Sequence, residues 1–112
     1  MLTIENLQNL GNNTKEGLSR CLNNEAFYLR LVNKAMNDDR LAKLKEALDA
    51  KDYQQAFEHA HALKGIYGNL SLTILFDPIV ELTEHLRAKE EMDYNPLINI
   101  LLENEKKIKE LM

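Results

Sequence analysis

The sequence predicts an all-α protein: an antiparallel four-helix bundle preceded by short N-terminal helices. Three observations carry this. Apolar residues recur at the helical period from Glu25 onward. Turns rich in Asn and Asp separate the periodic stretches. Only two prolines and four glycines interrupt the chain, and no run alternates in the manner of a half-buried strand.

The elements follow in order. Thr3 is placed to cap a short helix reaching about Leu10, which Gly11-Asn12-Asn13 then breaks. Thr14 is read as the cap of a second short helix to about Leu22, and Asn23-Asn24 makes the next turn. From Glu25, the residues Tyr28, Leu31, Val32, Ala35 and Met36 fall on one helical face. Asn37-Asp38-Asp39 punctuates, and Leu41, Leu44 and Leu48 carry the stripe to about Ala50. Asp52 caps the next helix, which runs to about Gly68 or Leu70 with Ala56, Ala60, Leu63, Tyr67 and Leu70 inward. Between Ser71 and Lys89 the helical pattern is interrupted by Pro78, which lacks the N–H a helix interior needs. Asp77-Pro78 reads as a cap followed by proline at the first helical position. A turn from Ser71 to Phe76 and then a kink or restart are expected, with Ile79, Leu82 and Leu86 inward. Asn95-Pro96 repeats that signal. The last helix then runs to about Leu111, burying Leu97, Leu101, Ile108 and Leu111. Four amphipathic segments on short turns must bury their stripes on one another, so 1–112 reads as one domain: short helices over 1–24 and the bundle over 25–111.

Composition narrows the function. The formal net charge of −4 argues against duplex nucleic acid or an anionic membrane as the main partner, because both select basic surfaces. The one cysteine, Cys21, has no partner in the chain for a disulfide. No basic region followed by an apolar run marks a signal peptide, and no stretch approaches the roughly 18–20 apolar residues of a membrane span. The expected location is the cytoplasm.

One helix face carries chemistry. At about 100° per residue, Lys64 lies about 60° to one side of His61 and Gly65 about 40° to the other, with Phe57 and Gly68 within about 40° of the same line. The core residues Leu63, Tyr67 and Leu70 lie near the opposite direction. An imidazole with an ordinary pKa is largely neutral at pH 7 and is a good nucleophile for phosphorus. A lysine one turn on can steady a bound phosphoryl group. Each glycine in a helix costs about 1 kcal/mol relative to alanine. Two on one exposed face suggest clearance for a partner that brings its own phosphate-bearing side chain to His61. Phe57 would be an apolar docking contact.

Ala60-His61-Ala62-Leu63-Lys64-Gly65, followed by Gly68-Asn69-Leu70-Ser71-Leu72, resembles the histidine phosphotransfer (HPt) domain of bacterial two-component phosphorelays. That family shows a His-x-Leu-Lys-Gly core, a small residue three positions later and a Leu-Gly turn into the next helix. The stretches Glu25 to Leu29 and Ile79 to Arg87 look like its flanking bundle helices. The resemblance covers most of the chain, and its specific part is His61 to Leu72.

The resemblance implies that His61 accepts and donates the phosphoryl group, with Lys64 near the phosphate and Gly65 giving clearance. The implied partner is the phospho-aspartate of a response-regulator receiver domain, free or within a hybrid sensor histidine kinase. No cofactor is implied on this chain, because the divalent metal for transfer belongs to the receiver. The chain would then be a phosphocarrier without a catalytic centre of its own. The sequence departs from the family at Ser71, where glycine is usual, and at Pro78, where an ordinary helix former is usual. Serine at 71 could cap the following helix. Two other functions share this face: a receiver-docking module that passes no phosphate on, and a phospho-accepting domain fed by a chemotaxis-type kinase.

Other features read as structural. His59, about 160° round the helix from His61, should face neighbouring helices. His85 follows Glu81 by one turn and reads as a solvated pair. A zinc site from His61, His85 and Glu81 lacks a compact zinc signature. Gly65-Ile66-Tyr67-Gly68 lacks the basic surround and the sheet of an RNA-clamping Gly-x-x-Gly. Lys106, Lys107 and Lys109 interleave with Glu103, Glu105 and Glu110 as a solvated helix face.

Overall fold

The computed structural model describes residues 1–112 and holds seven helices: α1 (Ile4–Asn9), α2 (Thr14–Arg20), α3 (Glu25–Met36), α4 (Arg40–Asp49), α5 (Tyr53–Asn69), α6 (Thr73–Arg87) and α7 (Asn95–Lys109). There are no strands. Helices α4 to α7 close a ring, with α4 on α5, α5 on α6, α6 on α7 and α7 back on α4. This is the antiparallel four-helix bundle. Helix α3 packs on α7 and on α2, and α1 packs on α2. No helix is long and apolar enough to cross a membrane.

The inward stripes are those the periodicity selects. Tyr28, Val32, Ala35 and Met36 of α3 are buried, as are Leu41 and Leu44 of α4. So are Ala56, Ala60, Leu63 and Tyr67 of α5, Ile79, Leu82 and Leu86 of α6, and Leu97, Leu101 and Ile108 of α7. Leu31, Leu48 and Leu111 are only half-buried. The caps expected of Thr3 and Asp52 hold, and Asn24, expected only to form a turn, caps α3. The side chains of Thr3, Asn24 and Asp52 accept from the N–H groups of Asn6, Phe27 and Gln55, satisfying donors that have no partner inside their helices.

Other boundaries differ. Asn13, not Thr14, caps α2, accepting from the Glu16 N–H at 3.2 Å. Thr14 is the first helical residue and is buried. Helix α2 stops at Arg20 because Leu22 and Asn23 both turn into the left-handed region, at φ 56° and 57°. Helix α7 begins at Asn95 with Pro96 second, so Tyr94 takes the cap position. The Asp93 carboxylate accepts from the Asn95 N–H at 3.0 Å.

The largest correction concerns Pro78. Asp77-Pro78 starts no helix; α6 runs without a break from Thr73 to Arg87 with Pro78 inside it. A proline at 78 leaves the carbonyl four residues earlier, on Ile74, without its helical donor. The Asn104 side chain of α7 fills that vacancy, donating from Nδ2 to the Ile74 oxygen at 2.8 Å. A side chain 30 residues away thus replaces the missing bond, and sequence periodicity cannot see it.

Ser71 departs from the expected cap as well. Leu72 holds the cap position of α6 and no side chain of its own turn caps it. Ser71 instead adopts φ 50°, the left-handed conformation that glycine enters most cheaply. Its N–H bonds Gly68 O at 3.1 Å, and the Leu72 N–H bonds Tyr67 O at 3.0 Å, the paired bonds of a Schellman ending. The N-terminal segment clamps this turn. The Asn13 N–H lies 3.2 Å from Ser71 O and 3.0 Å from Thr73 Oγ1. The Asn12 side chain accepts from the Ile74 N–H at 3.3 Å, a cap supplied from a distant loop. The Tyr28 hydroxyl donates to Leu70 O at 2.7 Å. Burial, aided by Cys21, pushes the Tyr28 phenol up to about 12, so it stays a donor at any ordinary pH.

Two stability predictions follow from these turns. Asn104→Ala should cost about 1–2 kcal/mol, the penalty of stranding a partly buried carbonyl, and much less in a Pro78→Ala background, where the restored N–H serves Ile74. A urea-unfolding double-mutant cycle measures this, and equal costs in both backgrounds would contradict the assignment. Ser71→Gly should stabilise by about 0.5–1 kcal/mol by relieving the left-handed residue. A lowered urea midpoint would show that the serine is held there by something other than the turn.

Candidate functional site

Helix α5 positions the site. Its buried residues Ala56, Ala60, Leu63 and Tyr67 face α4 and α6, and this turns His61 outward, where it is exposed. Ala56 and Ala60 are fully buried, so small side chains bring the neighbouring helices close on the side away from His61. His61 lies mid-helix, where the backbone hydrogen bonds hold its Cα position rigidly.

The structure gathers four of the five expected residues in one open depression. His61, Lys64, Gly65 and Gly68 line it, joined by Asn69, by Phe76 of α6 and by Arg20 of α2. Phe57 does not line the depression. It stacks beside His61, with ring centroids 5.8 Å apart and planes at 16°, and lines an adjoining groove with Tyr53, Leu86 and Arg87. The Arg87 guanidinium sits 5.2 Å from the Phe57 centroid, a cation–π contact. Lys64 is half-buried, and its Nζ lies 3.8 Å from Glu84 Oε1 on α6. The same oxygen is 3.5 Å from Arg87 Nε. Glu84 therefore holds two cations beside His61 through loose, solvent-screened pairs.

The two glycines do different work. An ideal Cβ on Gly65 would meet nothing within 4 Å, so the surface beside His61 is open there. A Cβ on Gly68 would come within 2.9 Å of the Phe76 ring. The clearance expected of Gly68 for a partner is thus taken up inside the protein, by α6 packing on α5.

His59 is half-buried, and His85 pairs chiefly with Glu90, at 2.7 Å, and more distantly with Glu81, at 3.8 Å. Periodicity suggested Glu81 because Glu90 lies beyond the helix end, where the turn at Lys89 folds back. His61, His85 and Glu81 do not converge, and no three His, Cys, Asp or Glu side chains form a group able to hold a metal ion. Helical periodicity does not single out Arg20, Asn69 or Glu84 as site residues, and Phe76 reads from the sequence only as core or docking surface. Asn69 lies inside the stretch Gly68-Asn69-Leu70-Ser71-Leu72. The other three reach the site from α2 and α6 through packing that no local pattern announces.

The glycines yield a paired prediction. Gly65→Ala should raise stability by about 1 kcal/mol, as for any exposed helical glycine with room for a methyl group. Gly68→Ala should gain less or lose stability, by up to about 2 kcal/mol, because Phe76 must move. Thermal unfolding of both variants checks this, and equal gains would place Phe76 away from Gly68.

Residues 31–111 match the family model described as the Hpt domain. No curated protein and no solved structure matches the chain. The matched stretch takes in the second half of α3 and all of α4 to α7, and so includes the whole His61 face. The chain belongs to the Hpt domain family, whose members carry out histidine phosphotransfer in phosphorelays with receiver or kinase partners.

Proposed function

We propose that His61 is the phosphoryl carrier and that the chain relays phosphate between the phospho-aspartates of response-regulator receiver domains in the cytoplasm. The observation that carries this reading is the exposure of His61 on a rigid helix beside Lys64 and the open space at Gly65. In the forward step a ring nitrogen of His61, through its lone pair, attacks the phosphorus of aspartyl phosphate. The P–N bond forms as the P–O bond to the aspartate breaks, and the aspartate leaves as a carboxylate. The reverse attack by a second receiver's aspartate regenerates the imidazole.

Each residue has a part in this. Phe57 lies offset and nearly parallel beside the imidazole and limits the orientations its ring can take. Lys64 can leave the loosely held Glu84 for the phosphoryl oxygens, since a charge-assisted bond to phosphate outweighs a screened surface pair. Gly65 leaves room for the receiver surface that surrounds the reacting aspartate. A transfer of this kind needs alignment and charge stabilisation more than covalent help. The receiver, with its divalent metal, supplies most of the latter. Tyr53 and Leu86 along the adjoining groove extend the docking area past Phe57.

The experiment is transfer from a receiver domain preloaded as aspartyl phosphate. Wild type should gain acid-labile, base-stable label, and His61→Gln should gain none. Lys64→Ala should slow transfer roughly tenfold, the worth of one hydrogen bond to a charged group. Gly65→Leu should fold normally, because nothing lies within 4 Å of its Cβ, yet transfer at least about tenfold more slowly. Label on the His61→Gln protein would refute the carrier assignment. Label from a kinase core but never from a receiver would favour a kinase-fed domain. Binding to receivers without label would favour a docking module.

A further inference from the structure

The depression beside His61 contains a cation that comes from outside the family-matched stretch. Arg20 is the last residue of α2, upstream of residue 31, where the match begins. Its side chain crosses to α5 and donates from Nη1 to the Gly68 carbonyl. Its other terminal nitrogen, Nη2, bonds Glu16 one turn back, at 2.6 Å. These two contacts leave three of the five guanidinium donors unused. The side chain is 47% exposed, so the head is fixed in place without being buried.

The charge pattern of the depression is one-sided. Its ionisable lining residues are Arg20, His61 and Lys64, and no carboxylate lines it. Glu84 and Glu16 do not line it; Glu16 lines a smaller adjoining hollow that shares Arg20, Gly68 and Phe76 with the depression. This basic island stands on a chain of net charge −4. Gly68 lies seven residues from His61, about 10 Å along the helix axis, so Arg20 stands beyond reach of a phosphoryl group on His61 itself. It faces whatever surrounds that group when a partner docks.

We propose that Arg20 is a specificity-determining docking residue for the phosphorylated receiver, drawing the anionic face around the phospho-aspartate into the depression. This rests on the phosphotransfer reading, since that reading supplies the anionic partner. Arg20 acts on encounter and retention of the partner, and the chemical step belongs to His61 and Lys64. Glu16 tunes it by partly neutralising its charge.

The test measures binding apart from transfer. The probe is a receiver domain that binds the wild type, activated with beryllofluoride, an anionic mimic of aspartyl phosphate that cannot be transferred. Arg20→Met, which keeps most of the aliphatic stem, should weaken binding about 5–10-fold at low salt, shrinking to within about twofold near 0.5 M salt. Arg20→Lys should recover part of the loss. Glu16→Gln should have the opposite effect, tightening binding about twofold, because it frees the guanidinium charge. A merely structural Arg20 would predict weaker or unchanged binding for Glu16→Gln and no salt dependence of the Arg20→Met defect. Unchanged affinity for Arg20→Met, or unchanged or weakened affinity for Glu16→Gln, would overturn the proposal. If Arg20→Met fails to fold, the sign of the Glu16→Gln effect still decides. Labelling of the wild type is scored separately, so a chain that binds but never takes label sinks the relay reading and leaves the Arg20 comparison standing.

Discussion

The structure depends on how α5 is buried. One helix must serve α4 on one flank and α6 on the other, and its inner stripe is built from two alanines, a leucine and a tyrosine, all buried. That stripe fixes the rotation of α5 about its own axis. Once Ala56, Ala60, Leu63 and Tyr67 are inside, His61 has to be outside, and Lys64 and Gly65 stand on either side of it. A reactive histidine for a carrier needs little more than this: a rigid base, an exposed ring and a flank without obstruction. The core packing and the chemistry are two faces of the same rotational constraint.

The second constraint is the turn at the end of α5. It leaves the helix through a serine in the left-handed conformation, and the cost is offset by contacts from the N-terminal third of the chain. Asn12, Asn13 and Tyr28 bond the backbone between Leu70 and Ile74. Gly17 allows this approach, for a Cβ there would come within 2.6 Å of the Leu70 carbonyl. The short helices α1 and α2 are therefore part of the site's scaffold, although the family match begins after them. They anchor the turn and they deliver Arg20 to the depression.

Much of this was legible in the sequence because it is local. The inward stripes and the Thr3 and Asp52 caps follow from spacing and from donors that a Thr or Asp just upstream can satisfy. The His61, Lys64 and Gly65 face follows from helical angle alone. The misreadings share one cause: a partner distant in sequence. Pro78 looked like a helix start because its stranded carbonyl has no local donor, and Asn104 supplies one across the bundle. Ser71 looked like a cap because the actual cap for α6, Asn12, lies about 60 residues earlier. Gly68 looked like clearance for a partner because Phe76, which fills its space, belongs to the next helix. Arg20 was silent for the same reason.

On the phosphotransfer reading, one of three histidines, chosen by the rotation of α5, carries the phosphoryl group. The most direct measurement is site mapping by mass spectrometry, under conditions that preserve phosphoramidates, after the chain has been incubated with a phospho-receiver. Phosphate is expected on the peptide containing His61, assigned to His61, with half-buried His59 and Glu-paired His85 unmodified. Phosphate on His59 or His85, or acid-stable phosphate on a serine, threonine or tyrosine, would contradict it.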